Sequence, residues 1–286
     1  MALDLVSEPA RDTSGPRHPL AQTYQWELEK LSAQFRTRAA VLVALLGPLL
    51  FGVGLTVSSS VPADTLFGRW VGDSGFAIPL VVLGFAGSWA FPLLTCLVAG
   101  DIFSAEDHYS TWTSILTRSI SRRGVFTGKV LAAATYAVVV LVLLALSSLA
   151  AGVLLIGHQS LIGLSGNVVS PGHAVALVLA SWTVALPGVL VAATLGIVLS
   201  VLSRNSLAGI VGPTVAGLVF QLLLLVPGLG PVRGVLPNAS FVAWHGLWAD
   251  PAFTGPVLTA TVADLAYAAV FLGVAWWSFH RRNIAT

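Results

Sequence analysis

Six long apolar runs, separated by short polar segments, dominate the pattern of this chain. A helix needs about 20 apolar residues to cross about 30 Å of hydrocarbon, and each run meets that length. No Asp, Glu, Lys or Arg occurs between residues 130 and 203, and the turn-forming Ser170-Pro171-Gly172 divides this stretch into two spans. The predicted spans are 39–57, 76–99, 130–156, 173–202, 207–226 and 257–279.

Composition supports a membrane location. Of the 286 residues, 56% are apolar and 9% are charged, whereas soluble proteins carry about 25% charged residues. Because a helix satisfies its own backbone hydrogen bonds in lipid, we predict an all-α integral membrane protein with six transmembrane helices. The single cysteine, Cys96, lies inside an apolar run and is interpreted as a residue that packs in the protein interior. No histidine cluster has metal-ligand spacing, no catalytic residues stand out, and no basic cluster interleaved with aromatic residues indicates nucleic-acid binding.

The basic residues indicate the orientation of the spans. Six spans place both termini on one side, and that side receives twelve Lys and Arg residues, whereas the opposite side receives Arg69 and Arg233 alone. This bias predicts that both termini are cytoplasmic in the plasma membrane. The predicted terminal segments are a disordered tail over residues 1–19, which lacks a secretory signal, and a short tail over residues 280–286.

A polar segment precedes the first span. Its apolar side chains recur at helical spacing and form one stripe: Leu20, Tyr24, Leu28, Leu31 and Phe35. The pattern predicts an amphipathic helix over residues 20–38 that lies at the cytoplasmic membrane interface. Two interpretations are open, a simple membrane anchor or a lever that transmits movement from a cytoplasmic partner.

The most charged part of the chain lies between the second and third spans. Ser104 and Asp107 have the spacing of a capping box, which predicts a helix over residues 105–116. Tyr109, Trp112 and Leu116 follow at spacings of three and four. A solvated loop explains the neighbouring arginines, whereas a docking surface for a soluble protein explains a capped helix with aromatic side chains.

The segment 227–256 is proline-rich and too short to span the membrane. Phe241, Trp244 and Trp248 lie there at helical spacing, which predicts one or two short external helices before the sixth span. The aromatic residues are either interfacial anchors or an external gate over a pathway. Asp264 carries the one formal charge within a predicted span and is a functional candidate for that reason.

This arrangement resembles the permease subunits of type-2 ABC exporters, and the resemblance covers residues 20–282. Members of that family typically show, between spans two and three, a Glu, a Gly-Thr, a Leu-Leu, a Ser-Arg and a Gly-Lys. The corresponding positions here are Glu106, Ser110-Thr111, Ile115-Leu116, Ser121-Arg122 and Gly128-Lys129. Ser110 replaces the usual glycine, and Ile120 replaces the proline that is common before Ser-Arg. Residues 27–31 look like the connecting helix of the family.

The resemblance implies an export subunit without its own nucleotide site. It implies two ATP-binding subunits that hold ATP and Mg, and a second permease half as a homodimer or heterodimer. The residues expected to contact the ATP-binding partner are Glu106, Tyr109, Trp112, Leu116, Glu27 and Lys30. The chemistry of the chain agrees, because it offers two cytoplasmic helices that can receive movement and no obvious ion relay.

The second and fifth spans usually face the dimer axis in that family, so their polar and aromatic side chains are candidates for a substrate pathway. These are Ser88, Trp89, Thr95, Thr214 and Gln221. Apolar span faces with scattered polar groups suit an amphiphilic drug, antibiotic, lipid or peptide. Two other classes of protein remain open, an ion-coupled secondary transporter and a membrane scaffold or sensor that transports nothing.

Overall fold

The computed structural model describes residues 19–57, 65–112, 121–223, 226–237 and 239–282. It is almost entirely helical, which confirms the prediction of an all-α integral membrane protein. The helices are α1 (Pro19–Ala33), α2 (Phe35–Val57), α3 (Ala77–Phe85), α4 (Phe91–Ala99), α5 (Ser104–His108), α6 (Arg122–Leu155), α7 (Pro171–Ser203), α8 (Ser206–Leu223), α9 (Gly230–Arg233), α10 (Ser240–Ala243) and α11 (Gly255–Arg281). Five of these described helices, α2, α6, α7, α8 and α11, are long and apolar enough to cross a membrane.

The second predicted span is not one regular α-helix. It consists of α3, a π-helical turn over Ala86–Ala90 and α4, which follow one another without a break. A π-turn holds one extra residue and lets a helix change direction. Here the turn brings Gly87 against Phe241 on α10: a Cβ atom at Gly87 would lie 2.7 Å from the Phe241 Cβ.

The amphipathic helix is shorter than predicted. α1 ends at Ala33 and α2 begins at Phe35, so the expectation of one helix over residues 20–38 is wrong at its C-terminal end. The chain turns at Gln34, whose side-chain oxygen accepts hydrogen bonds from the Arg36 guanidinium at 3.2 Å. The Arg38 Nε donates to the Ser32 carbonyl oxygen at 2.7 Å across the same turn. These bonds stabilise an elbow rather than a continuous helix.

The helix between the second and third spans also differs from its prediction. α5 ends at His108, and the backbone of Ser110 takes a left-handed conformation (φ 54°), which terminates the helix. Ser104 forms no capping box; instead, its hydroxyl donates to the Gly100 carbonyl oxygen at 3.2 Å and lies 3.0 Å from the Ser206 hydroxyl. Leu116 lies outside the described residues.

The third span begins earlier than its apolar run. α6 starts at Arg122 because the Ser121 hydroxyl accepts a hydrogen bond from the Gly124 amide and caps the helix. The first two turns of α6 therefore extend beyond the apolar run, next to α5. We call this part of the molecule, where α1, α5, the start of α6 and the C-terminal end of α11 meet, the α5 end.

The other end of the bundle carries short elements, as predicted for residues 227–256. α9, α10 and a 3-10 helix over Trp244–Trp248 occupy that segment. A two-stranded antiparallel hairpin between α6 and α7 was not predicted; it pairs Leu161 with Val169 and Ile162 with Val168. The amide of Leu164 donates to the Trp248 carbonyl oxygen at 2.9 Å, which joins the hairpin to the 3-10 helix.

At two places inside the bundle, a pair of glycines lets two backbone segments come into direct contact. Near the α5 end, a Cβ atom at Gly100 would lie 2.2 Å from the backbone of Gly209. Near the other end, a Cβ atom at Gly75 would lie 2.2 Å from the Gly152 carbonyl oxygen. Side chains at these positions are excluded, so the two contacts determine how the second span packs against α8 and α6.

Candidate functional site

A buried lysine connects three helices at the α5 end. Lys129 on α6 has no exposed surface, and its ammonium group lies 2.7 Å from the Glu106 carboxylate on α5 and 2.8 Å from the Glu27 carboxylate on α1. The same group donates to the Ile102 carbonyl oxygen at 3.0 Å. All three ammonium donors therefore have acceptors, which is the condition under which a buried charge is tolerated.

Several side chains bind the carboxylate of Glu106 at the same time. Lys30 on α1 forms an ion pair with Glu106, and the Thr111 hydroxyl donates a hydrogen bond to it. Burial raises the pKa of Glu106, but the charge of Lys129 and the hydrogen bonds from Lys129, Lys30 and Thr111 outweigh burial and lower the pKa to about 2. Glu106 is therefore an ionised side chain held inside the protein.

Gly128 explains how α1 comes so close to α6. A Cβ atom at this position would lie 2.7 Å from the Thr23 side chain and 3.3 Å from the Tyr24 amide nitrogen. The Tyr24 hydroxyl then lies 2.8 Å from the Thr135 hydroxyl, two turns further along α6. The Gly-Lys pair thus has two tasks: the glycine admits α1, and the lysine binds the carboxylates on either side.

An aromatic cluster packs beneath the ion pairs. Phe103, Trp112, Phe126 and Phe279 have ring centroids 5.3 to 6.3 Å apart in the contacting pairs. The Lys129 ammonium lies 6.0 Å from the Phe103 ring and 5.9 Å from the Trp112 ring, within the range of a cation–π interaction. Phe279 belongs to α11, so the C-terminal helix also takes part in this site.

A second ion pair clamps the end of α11 onto α5. The Arg282 guanidinium pairs with the Asp107 carboxylate, and the Trp112 indole donates to the same carboxylate at 2.9 Å. Arg122, at the start of α6, donates to the carbonyl oxygens of His280 and Arg282 at 3.0 and 2.9 Å. Three other helices, α1, α6 and α11, therefore converge on α5.

The residues predicted to contact a partner separate into an inner and an outer group. Glu27, Glu106 and Trp112 are buried and bonded within the chain, so their side chains are not presented to solvent. Lys30 remains partly exposed, and Tyr109 has 72% of its surface exposed. Of the predicted contact residues that the structure describes, Tyr109, directly after α5, is the most exposed. Partner contact stays a prediction for all of them.

The predicted pathway residues do not share one surface. Trp89, in the π-turn, is half exposed on the bundle surface, and Thr214 and Gln221 on α8 are partly buried. Thr95 is fully buried, and its hydroxyl donates to the Phe91 carbonyl oxygen at 2.6 Å, which accounts for it as a packing residue. The side chain of Ser88 lies outside the described residues. A pathway role is a prediction for this set, and the position of Thr95 does not favour it.

The predicted gate residues are buried rather than laid over an opening. Trp248 donates its indole hydrogen to the Ser181 hydroxyl at 3.0 Å, and its ring lies 5.2 Å from that of Phe67. Phe241 stacks on Phe91 at 5.8 Å, and Trp244 is likewise buried. These side chains close the bundle at this end, and a gating role stays a prediction.

Asp264 is fully buried in α11 near the same end. Neither of its carboxylate oxygens has a hydrogen-bond partner among the described residues. The Ser240 hydroxyl on α10 is likewise buried and has no hydrogen-bond partner among the described residues. No group of three His, Cys, Asp or Glu side chains in the described part of the chain is arranged to hold a metal ion.

Sequence reasoning missed several residues of the α5 end. The sequence pattern predicts Asp107 in a cap, whereas the Asp107 carboxylate binds Arg282 and Trp112. The same pattern predicts Arg282 in a tail and Phe279 at the end of a span, and gives neither a role at this site. The one available signal was the Gly128-Lys129 pair, which the family resemblance had placed next to the docking region without saying what it binds.

These features define a multi-pass α-helical membrane protein in which ion pairs join α5, at one end, to α1, α6 and the C-terminal end of α11. A family model described as "ABC-2 family transporter protein" matches residues 24–223. The chain belongs to this family, as its resemblance to type-2 ABC permeases had indicated, and it is a membrane component of an ABC transporter. No curated protein matches the chain with significance.

Proposed function

We propose that this protein is the permease subunit of an ATP-driven exporter that moves an amphiphilic substrate out of the cytoplasm or inner leaflet. A separate ATP-binding subunit, present in two copies, holds ATP and Mg, and a second permease half completes the pathway. The α5 end is cytoplasmic in this proposal. Family membership supports the ABC transporter role, and the excess of basic residues at the α5 end supports the orientation.

The observation that carries the proposal is the ion-paired node around Lys129. It joins α1, α5 and α6, and the Asp107–Arg282 pair adds α11. A force applied to the exposed face of α5 therefore reaches three other helices through buried contacts rather than through a flexible loop. This is what a permease needs if its energy comes from a different polypeptide.

The docking role of α5 is tested with exposed residues only. Tyr109→Ala removes an exposed ring at the end of α5, and Trp277→Ala removes an exposed ring from α11 as the control. Tagged full-length permease is purified with its ATP-binding subunit. We expect Tyr109→Ala to lower the amount of co-purified subunit and its ATPase stimulation severalfold, with Trp277→Ala unchanged. Equal retention of the subunit by both variants would refute docking at Tyr109.

The orientation is tested by labelling single cysteines in a Cys96→Ala background. Asp250→Cys lies on the proposed outside and Arg123→Cys on the proposed inside, and both positions are exposed. An impermeant thiol reagent added to intact cells should label the first and spare the second. The reverse pattern would invert the proposed topology.

The pathway is tested at Trp89 and Gln221. A half-exposed indole within a membrane protein, and an amide on the facing α8, can contact an amphiphile that passes between permease halves. Trp89→Ala and Gln221→Leu should change which substrates stimulate the ATPase while basal hydrolysis and assembly remain. An unchanged substrate profile in both variants would place the pathway elsewhere.

One observation favours an ion-coupled secondary transporter instead, namely the buried carboxyl of Asp264. The two functions differ in their source of energy. Uptake into inverted vesicles that stops when ATP is withheld, and continues when ion gradients are collapsed, supports the exporter; the opposite dependence supports the secondary transporter.

A further inference from the structure

A polar cavity of about 910 Å³ opens at the α5 end. It lies between the first turn of α2, the α5 segment and the turn from α7 to α8. Phe35, Arg36, Asp101, His108 and Arg204 are among the residues that line it. None of them belongs to the Lys129 node.

The charges of this cavity do not cancel. The Asp101 carboxylate is almost fully buried and is paired with the Arg36 guanidinium, so these two charges neutralise each other. The guanidinium of Arg204 is exposed and forms no ion pair or hydrogen bond with any residue in the described ranges. Its backbone is left-handed (φ 54°) at the end of α7, which holds the residue in the turn beside the cavity. One positive charge therefore remains without a partner.

The surroundings of the cavity are apolar on the membrane side. α2 begins, α7 ends and α8 begins at this level. Phe35 is 85% exposed on the rim, and the adjacent Leu207, the second residue of α8, is 68% exposed. A ligand that fits both features has an anionic head for Arg204 and apolar chains that continue along α2 and α8. Basic pockets between transmembrane helices on the cytoplasmic side are known to suit such headgroups.

We propose that this cavity binds the anionic headgroup of an inner-leaflet phospholipid, with the phosphate on Arg204. An acidic segment of a protein partner has matching charge, but it lacks the chains that would cover Phe35 and Leu207. The inference rests on the proposed orientation. It does not require transport, because binding is measurable without ATP.

Two substitutions should change binding in opposite directions. Arg204→Ala removes the unpaired cation and is expected to weaken binding about tenfold, since a hydrogen bond to a charged group is worth about that factor. Asp101→Asn releases Arg36 from its carboxylate and is expected to strengthen binding severalfold. Arg281→Ala is the control, because Arg281 is an exposed arginine at the same end whose side chain stacks on Trp277 at 4.5 Å.

The experiment titrates the purified full-length chain in a nonionic detergent with fluorescent phosphatidylglycerol, and with fluorescent phosphatidylcholine for comparison. Saturable binding of phosphatidylglycerol, weakened by Arg204→Ala and unaffected by Arg281→Ala, supports the proposal. Equal weakening by the two arginine substitutions would show general surface attraction and overturn it. So would displacement of the lipid by millimolar inorganic phosphate, which would identify a free-anion site.

A protein occupant gives a different result. If Arg204→Ala leaves phosphatidylglycerol binding unchanged but lowers co-purification of the ATP-binding subunit, the cavity is a partner surface and the lipid proposal is overturned. If the unsubstituted protein binds phosphatidylglycerol but shows no ATP-dependent transport, the exporter proposal alone is refuted. A matched unfolding temperature for all variants shows that the differences reflect binding and not misfolding.

Discussion

The ammonium group of Lys129 lies 2.7 Å from the carboxylate of Glu106, and neither side chain has more than 3% of its surface exposed. The two residues are 23 positions apart and belong to different helices. Breaking a buried ion pair costs more than the pair contributes, because the remaining charge has no solvent to stabilise it. The stability of the α5 end therefore depends on Lys129 more than on any exposed charge nearby.

We expect Lys129→Met to lower the free energy of unfolding by about 3–5 kcal/mol, because it leaves the carboxylates of Glu27 and Glu106 buried without their shared cation. Lys30→Met is the control, since Lys30 is partly exposed and should cost less than about 1 kcal/mol. Denaturant unfolding of the full chain in detergent measures both. Similar losses in the two variants would show that Lys129 does not hold the node.

The lowered pKa of Glu106 predicts an acid-sensitive stability. The unfolded chain binds a proton at Glu106 near pH 4.5, whereas the folded chain does so only near pH 2. Stability from this group is thus present above pH 4.5 and is lost as the pH falls from 4.5 toward 2. The difference between the melting temperatures of wild type and Glu106→Gln should therefore shrink as the pH falls from 4.5 toward 2. A constant difference between the two curves would contradict the assignment.

The clamp at the end of α11 is tested with adjacent arginines. Arg282→Ala removes the ion pair to Asp107, which is mostly buried, and should lower stability by about 1–3 kcal/mol. Arg281→Ala removes a side chain that stacks on the surface of Trp277 and should cost less than about 1 kcal/mol. Thermal unfolding, together with limited proteolysis of the C-terminal end, distinguishes them. Equal effects would mean that Arg282 is a surface residue in solution.

Close backbone packing predicts a strong effect at one glycine and almost none at another. Gly100→Ala places a Cβ atom 2.2 Å from the backbone of Gly209, so α4 and α8 must move apart, at a cost of at least about 1–3 kcal/mol. Gly47→Ala meets no atom within 4 Å and should be neutral or stabilise α2 by up to about 1 kcal/mol. Yield and melting temperature of each variant provide the measurement, and tolerance of Gly100→Ala would argue against this contact.

Substitution of Asp264 tests whether its buried carboxyl lowers the stability of the protein but is needed for transport. Asp264→Leu replaces a buried, unpartnered carboxyl with an apolar side chain and should raise stability by about 1–3 kcal/mol. Asp250→Leu changes an exposed carboxylate near the same end and should have little effect. If Asp264→Leu is more stable yet transports less, the carboxyl is retained for function; a less stable variant would show that it has a structural partner.

The spans and the class of protein follow from the sequence by itself. An apolar run of about 20 residues has the length of a helix that crosses the hydrocarbon. In lipid such a run forms a helix because the backbone must satisfy its own hydrogen bonds. The short helices of residues 227–256 were predicted for a related reason, since their prolines and their length exclude a span. The positions of Glu106 and Gly128-Lys129 within this layout were enough to indicate the family.

Local signals were less dependable where tertiary contacts compete with them. Ser104 and Asp107 have capping-box spacing, yet the Ser104 hydroxyl bonds to Gly100 and Ser206 while Asp107 binds Arg282. The break at Gln34 and the left-handed Ser110 likewise shorten helices that the apolar pattern would continue. A short polar side chain bonds to whichever partner the packing brings nearest, and the local spacing does not reveal that partner.

Only the tertiary structure decided what the polar residues at the α5 end do. The sequence placed Glu27, Glu106 and Trp112 on faces available to a partner, whereas the folded chain buries them against Lys129, Asp107 and Phe279. These contacts join α1, the α5 region, α6 and α11, which are far apart along the chain. Coulomb attraction and ring packing act over a few ångströms of space, so these contacts exist only after the helices have packed.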